Sequence, residues 1–457
     1  MDLYSNPLIK PIPKLLNKKN FIEKFNKSPE LKVHKSEERN LIETDKITVN
    51  FSFGCEQHYY FYERVISKMF TAYDIKINEN VIQRLNEINN LTEEQTIHIL
   101  NQEINTQPSV FGTYLMGLAG TGKTTLVDSI VNLYPRFVIQ TFHPHLIFKQ
   151  IPILKITTPH KSSRKDFCNA ILSAMDTILF SNYVNDYKGY SEVSLTNMVK
   201  NKVLIHFVGT IIVDEFQDLR TRSGPPELTL AFIKNISNTL KLPIVFVGSF
   251  EIEEILFGNW QLCTRNQGFQ WFYHKQNSKE YKDLIDELFK HSVIGSQNLA
   301  PEISDAYYKL TAGAPRTLTL LHAEAQKICI HSKKKHITIL ELLIAAKNLF
   351  ASTNKVVDAI VNHNTALLKN YGDLKFIELP DKPKSNKNSG THNKSNYKKQ
   401  VEFSDKSTED KSLEDLIDAS VDRMLLDLYD NSRSLAELEG LYKEHGLIKP
   451  IEEILTF

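Results

Sequence analysis

The sequence predicts an α/β fold, a parallel sheet between helices, built around a phosphate-binding loop and followed by a separate helical domain. Three observations predict it. Residues 117–125, "GLAGTGKTT", meet the spacing G-x-x-x-x-G-K-[ST] between a strand-like apolar run and a helix-like one. From about 110 to 279, strand-length apolar runs alternate with helical patterns, as a parallel sheet covered on both faces requires. From about 280 the strand signals stop and helical periodicity continues alone.

The elements follow in order. Residues 1–50 read as an arm: Pro7, Pro11 and Pro13 exclude a helix there, and "KLLNKKNFIEKF" is short, basic and amphipathic. Two uses stay open for it, a frayed terminus or a segment that docks a partner. Residues 51–109 are mainly helical, through "YYFYERVISKMF", "VIQRLNEI" and a helix opened by "TEEQ" at 93–96. The core, 110–279, takes its strands from "FGTYLMGL", "RFVIQTF", "PILKITT", "GTIIVDEF" and "LPIVFVGS". "RKDFCNAILSAMDTIL" and "PELTLAFIKNISNTLK" supply helices between them. Residues 280–380 form a helical lid, with "YKDLIDELF", "EISDAYYKLTA", "RTLTLLHAEAQKICI" and "TILELLIAAKNLF". Residues 381–412 are too poor in apolar groups to offset the entropy of ordering and predict a disordered linker. In 413–457, Leu413, Leu416, Ile417, Val421, Met424 and Leu428 fall on one helical stripe opposite Glu414, Asp415, Asp418 and Asp422. Such a tethered amphipathic helix either folds back on its own core or docks in a groove of a partner, and the partner is the expectation here.

The 457 residues suffice for more than one domain. Apolar content of 41% and charged content of 24% are ordinary for a globular protein. A net charge of +1 provides no global basic field, so any nucleic-acid contact must be a local patch. Cys55, Cys168, Cys263 and Cys329 are scattered without a C-x-x-C pair, which fits free thiols in a reducing compartment. The N-terminus lacks an apolar signal region, and no run approaches the roughly 18 apolar residues of a membrane span. The expected location is cytoplasmic, with no membrane partner.

The loop carries the first chemistry. Gly117, Leu118, Ala119, Gly120, Thr121, Gly122, Lys123, Thr124 and Thr125 form a turn whose glycines let backbone N–H groups face an anion. A helix starting near Lys123 adds its positive end. Lys123 reaches the β and γ phosphates of ATP, and the Thr124 hydroxyl sits on Mg²⁺. "TIIVDEFQD" then puts Asp214 and Glu215 at the end of an apolar strand. Asp214 is the expected metal residue and Glu215 the group that orients and deprotonates water, which favours hydrolysis over transfer to a hydroxyl. Ser249 ends "LPIVFVGS": it is either a polar group facing the γ phosphate or a serine that ends a strand. Arg316 follows the bend "GAP" and opens a helix, where an arginine on a lid can meet the γ phosphate. In "PHKSSRKD", Lys161, Arg164 and Lys165 gather at a helix start with Ser162 and Ser163, as a DNA-phosphate patch or as a solvated cluster.

The order of these motifs resembles that of the AAA+ P-loop NTPases. More narrowly, residues 110–350 resemble the TnsC and TniB regulators of Tns-type transposons. "GLAGTGKTT", "IIVDEFQDLRTRSGPPELTLAFIKNI", "LPIVFVGSFEIEEIL" and "TAGAPRTLTLLHAEAQ" carry the resemblance. It implies ATP and Mg²⁺ as ligands and subunits that self-assemble as a ring or helical filament on duplex DNA. It also implies a link between a target selector of TniQ or TnsD type and transposase subunits, hydrolysis that disassembles the filament, and flanking extensions that contact those partners. Arg265, in "QLCTR", falls where ring-forming ATPases carry the arginine that reaches a neighbour's site; it is equally placed to be a solvated loop residue. The chain departs from the family in carrying one arginine there and in having Ser249 where threonine is frequent.

Three rival readings fit part of the pattern. "DEFQD" also resembles the acidic motif of superfamily-one helicases, but those need a second motor domain and the sequence after 280 is helical. A DNA-binding scaffold switched by ATP with little turnover shares every motif. A replication-type loader would carry a DNA-reading domain beyond the lid, which the sequence does not suggest.

Overall fold

In the computed structural model the strands are β1 (Thr113–Gly117), β2 (Val138–His143), β3 (Leu146–Gln150), β4 (Ile153–Thr157), β5 (Thr210–Asp214), β6 (Ile244–Gly248) and β7 (Gln267–Trp271). The structure describes residues 3–374 except 78, 87–91, 106–111, 144–145, 160–162, 221–225, 258–266, 272, 363, 369 and 372–373. The chain divides into two units, Met1–Leu379 and Pro380–Phe457. The linker expected at 381–412 and the amphipathic helix expected at 413–457 lie outside the described residues.

Among the described residues, β4-β5-β6-β1-β7 form one sheet in that order, and each neighbouring pair is parallel. Every residue of β5 and β6 is buried, because helices cover both faces. The period-two alternation of strand side chains sorts two cores. Ile212, Val245, Val247 and Leu115 pack with the helices Glu56–Lys76 and Lys123–Asn132. Ile211, Val213, Ile244 and Phe246 pack with the helices Arg164–Leu179, Glu192–Ile205 and Pro226–Leu240. Asp214 follows the parity of Ile212 and so shares the face covered by Lys123–Asn132.

Two strands differ from expectation. "RFVIQTF" does form β2, but it pairs antiparallel with β3 in a separate hairpin, leaving Ile139 and Ile147 exposed. The fifth place in the sheet belongs to β7, "QGFQW", which runs beside β1.

The segment 4–25 is built into the same core. Leu8, Ile9, Ile12, Phe21 and Phe25 join the cluster around Glu56–Lys76, and Phe21 stacks on Tyr62 with ring centroids 4.4 Å apart. The Leu16 N–H donates to Tyr62 Oη at 2.9 Å, and the buried Asn6 amide donates to the Ile77 carbonyl at 3.0 Å.

After β7 the elements among the described residues are helices: Lys279–Phe289, Pro301–Thr311, Pro315–His331, Ile339–Phe350, Asn354–Val361 and Thr365–Leu368. Their centre holds a hydrogen-bonded polar knot. Tyr307 Oη and His322 Nδ1 lie 2.7 Å apart, and Gln326 donates to the His291 carbonyl at 2.9 Å. Burial pushes the His322 imidazole down to about 4, so it stays neutral. The helix Pro315–His331 also packs on Glu37–Asn50, where Lys327 pairs with Asp45 at 2.6 Å and His331 with Glu37 at 2.6 Å. Among the described residues, no helix is long and apolar enough to cross a membrane.

Candidate functional site

In the loop between β1 and the helix Lys123–Asn132 the first four carbonyls each have a partner. Those of Gly117 and Leu118 both accept from Lys123 Nζ at 2.8 Å. The Ala119 carbonyl accepts from Tyr273 Oη at 2.8 Å, and the Gly120 carbonyl from the Arg316 N–H at 3.2 Å. Of the loop's N–H groups, that of Leu118 donates to the Trp271 carbonyl at 3.2 Å and that of Thr121 to the Leu118 carbonyl at 3.4 Å. Gly120 and Gly122 sit at φ of +79° and +88°, left-handed values that favour glycine. A Cβ on Gly122 would meet nothing within 4 Å, so the space beside it is open. A Cβ on Gly117 would lie 2.7 Å from the Trp271 carbonyl oxygen, because β7 runs against the loop's first residue. Open space, two glycines at positive φ, a helix N-terminus and Lys123 together fit a polyphosphate.

The acidic pair sits at the end of β5. Asp214 is 4% exposed; one carboxylate oxygen accepts from the Glu215 N–H at 3.0 Å, and the other lies 3.2 Å from Lys155 Nζ. Lys155 also reaches Asp128, on the helix after the loop, at 2.5 Å. Burial works to lower the Lys155 ammonium, but its bond to Asp128 and the charge of Asp214 outweigh that, and its pKa lies above the ordinary lysine value. Thr124 is exposed at the start of that helix. The donor set of Thr124 hydroxyl and Asp214 carboxylate suits a hard divalent cation such as magnesium.

Glu215 is exposed and has φ of +54°. Its carboxylate accepts from Gln217 Nε2 at 2.5 Å, and Gln217 Oε1 accepts from the Ser249 N–H at 3.0 Å. Glu215 and Ser249 are therefore joined through one side chain. The Ser249 hydroxyl accepts from the Glu251 N–H at 3.4 Å, so it also ends its strand as a turn serine does.

The other expected residues fall as follows. Arg316 is exposed in the first turn of Pro315–His331, with its backbone on Gly120. Arg164 is paired with Glu192 at 3.1 Å, Lys165 is exposed, and Ser163 caps the helix by accepting from the Asp166 N–H at 3.1 Å. Lys161, Ser162, Arg265 and the "RSG" stretch at 222–224 lie outside the described residues. Sequence reasoning missed Lys155, Gln217 and Tyr273. A lysine within the apolar strand "ILKIT" was a visible signal for Lys155; Tyr273 carried none.

This fold and site define an AAA-type P-loop domain: residues 112–256 match the family model described as "AAA domain". No curated protein matches the chain in sequence. Among solved structures, the chain is similar to the ADP form of the Aeropyrum pernix ORC2 protein, with 13% identity over 56% of this chain and 67% of that one and a TM-score of 0.38. It is similar to the Aeropyrum pernix ORC1 protein in complex with DNA, with 15% identity over 67% and 76% of the two chains and a TM-score of 0.37. It is also similar to the Thermotoga maritima RuvB Holliday junction branch migration motor, with 15% identity over 64% and 75% and a TM-score of 0.33. Likeness at this level carries no statement about activity.

Proposed function

We propose that this chain is an ATP-hydrolysing regulator of DNA transposition. It assembles with itself on duplex DNA when ATP is bound and links a target selector of TniQ or TnsD type to transposase subunits. Hydrolysis ends the assembly. The transposition part rests on the sequence resemblance to TnsC and TniB. The nucleotide part rests on one observation above all: the lid residue Arg316 donates its N–H to the loop at the Gly120 carbonyl, and Lys155 joins Asp214 to Asp128 on the helix that follows the loop.

In this reading Lys123 exchanges its two carbonyl partners for phosphate oxygens as nucleotide enters. Loop N–H groups hold the phosphates. Glu215 orients the attacking water and takes its proton, and Arg316 meets the γ phosphate from the lid. Thr124 and Asp214 would hold Mg²⁺, which would neutralise charge on the phosphates. Arg265 is our candidate for the group supplied to a neighbouring subunit, and Lys161, Arg164 and Lys165 for DNA phosphates. We place the protein in the cytoplasm, in keeping with free thiols at Cys55, Cys168 and Cys329.

The test is electron microscopy of the protein with duplex DNA and a non-hydrolysable ATP analogue. The expected result is decorated filaments or rings, absent in Lys123→Ala. Lone monomers under saturating nucleotide would overturn the assembly reading. Glu215→Gln should lengthen filament lifetime with ATP; an unchanged lifetime would favour a scaffold that scarcely turns over.

A further inference from the structure

We propose that Gln217 is a positioning residue that fixes the Glu215 carboxylate and ties it to the strand end bearing Ser249. The proposal rests on the hydrolytic reading of Glu215 above. Gln217 lies in the single turn Phe216–Arg220 that follows β5, and its side chain crosses to the end of β6.

The orientation of the amide is fixed by its partners. The Ser249 N–H can only donate, so the group facing it must be the amide oxygen, 3.0 Å away. That leaves the NH₂ end for Glu215 Oε2, at 2.5 Å, where a carboxylate can only accept. Each end thus meets the one chemistry it can satisfy, and the bond to the carboxylate is charge-assisted.

The surroundings are shaped for this side chain. A Cβ on Gly248 would lie 2.0 Å from Gln217 Oε1, so a residue with a side chain there would expel the amide. The Glu215 backbone is held at both ends: its N–H donates to Asp214 at 3.0 Å, and its carbonyl accepts from the Asp218 N–H at 3.0 Å. What the backbone does not restrain is the exposed carboxylate itself, whose rotamers would otherwise be free. Gln217 supplies that restraint. Because it spans two adjacent strand ends, a shift of Ser249 is passed to the carboxylate that handles the water.

The role separates from nucleotide binding. Gln217 makes no hydrogen bond to the loop among the described residues, so its loss should spare ATP affinity and slow the chemical step. The experiment measures steady-state ATP hydrolysis by the full chain with Mg²⁺ and duplex DNA, beside binding of a fluorescent ATP analogue. Gln217→Ala should lower kcat by roughly tenfold to hundredfold with KM changed less than about twofold. Gln217→Glu keeps an acceptor for the Ser249 N–H but sets a like charge against Glu215, so its kcat should fall below that of Gln217→Ala. In a Glu215→Gln background, Gln217→Ala should add no further loss. Equal kcat in parent and both Gln217 variants would overturn the proposal while leaving hydrolysis by the parent intact. So would a fully additive loss in the Glu215→Gln background, or a raised KM with kcat retained. A parent that binds the analogue but releases no phosphate would instead remove the hydrolytic reading, and this proposal with it.

Discussion

The backbone N–H of Arg316 donates to the carbonyl of Gly120 at 3.2 Å, so the first turn of a lid helix stands directly on the phosphate loop. The contact is close on both sides: a Cβ on Gly120 would come 3.3 Å from the Arg316 Cβ. Arg316 is thereby held beside the loop by its main chain, whatever its guanidinium does.

Gly120→Ala and Gly122→Ala should therefore differ. Both force alanine to positive φ, at a cost of about 1–2 kcal/mol each, readable by urea unfolding. Only Gly120→Ala crowds Arg316, since nothing lies within 4 Å of a Cβ on Gly122. Hydrogen exchange at the Arg316 amide should quicken in Gly120→Ala and stay as in the parent in Gly122→Ala. Equal exchange in the two variants would refute the lid contact.

Lys155 makes a second testable centre. It lies 3.2 Å from Asp214 and 2.5 Å from Asp128, and occupies with its charge the neighbourhood where a divalent cation would act. Lys155→Met leaves the buried Asp214 carboxylate short of a cation, costing about 1–3 kcal/mol. The same change removes a competitor for the metal. Thermal unfolding without magnesium should shift down, and the magnesium concentration for half-maximal hydrolysis should fall. A magnesium dependence identical to the parent's would show that Lys155 and the metal do not compete.

Gly248→Ala tests the room made for Gln217 without touching Gln217. The added methyl would also approach Ile252 Cδ1 at 2.8 Å, so a loss of stability accompanies it. With the fold verified by circular dichroism, its kcat should match that of Gln217→Ala. A parent-like kcat would mean that the amide finds its place despite the methyl.

The parts legible in sequence were those written in local pattern. The loop, the helix from Lys123 and the strand ending in Asp214 are each set by residues adjacent in the chain. What the sequence hid depends on distant neighbours. "QGFQW" has no continuous apolar run, yet it is β7, with the ring of Tyr114 in the space a side chain at Gly268 would need. "RFVIQTF" looks like a core strand but finds its partner in β3. Prolines and lysines interrupt the periodicity of the first 25 residues, so Leu8, Ile12 and Phe21 do not announce a buried face. Gln217 stood in the motif itself, "DEFQD", but its task needs Ser249, which comes from another strand.

Lys76 gives the fold a pH dependence of its own. It is 1% exposed, and its ammonium donates to the Val208 carbonyl at 2.8 Å. Burial pushes its pKa down from 10.5 to about 7. Between those values the unfolded chain binds a proton that the folded chain does not, so stability rises with pH across that window. Below pH 7 both states hold the proton, and the full cost of a buried charge is present. Lys76→Met removes that cost. Its advantage over the parent in urea midpoint should be greatest near pH 6 and should shrink steadily toward pH 9 and above. A constant difference between the two proteins across that range would show that Lys76 keeps its charge in the core, balanced by its carbonyl partner.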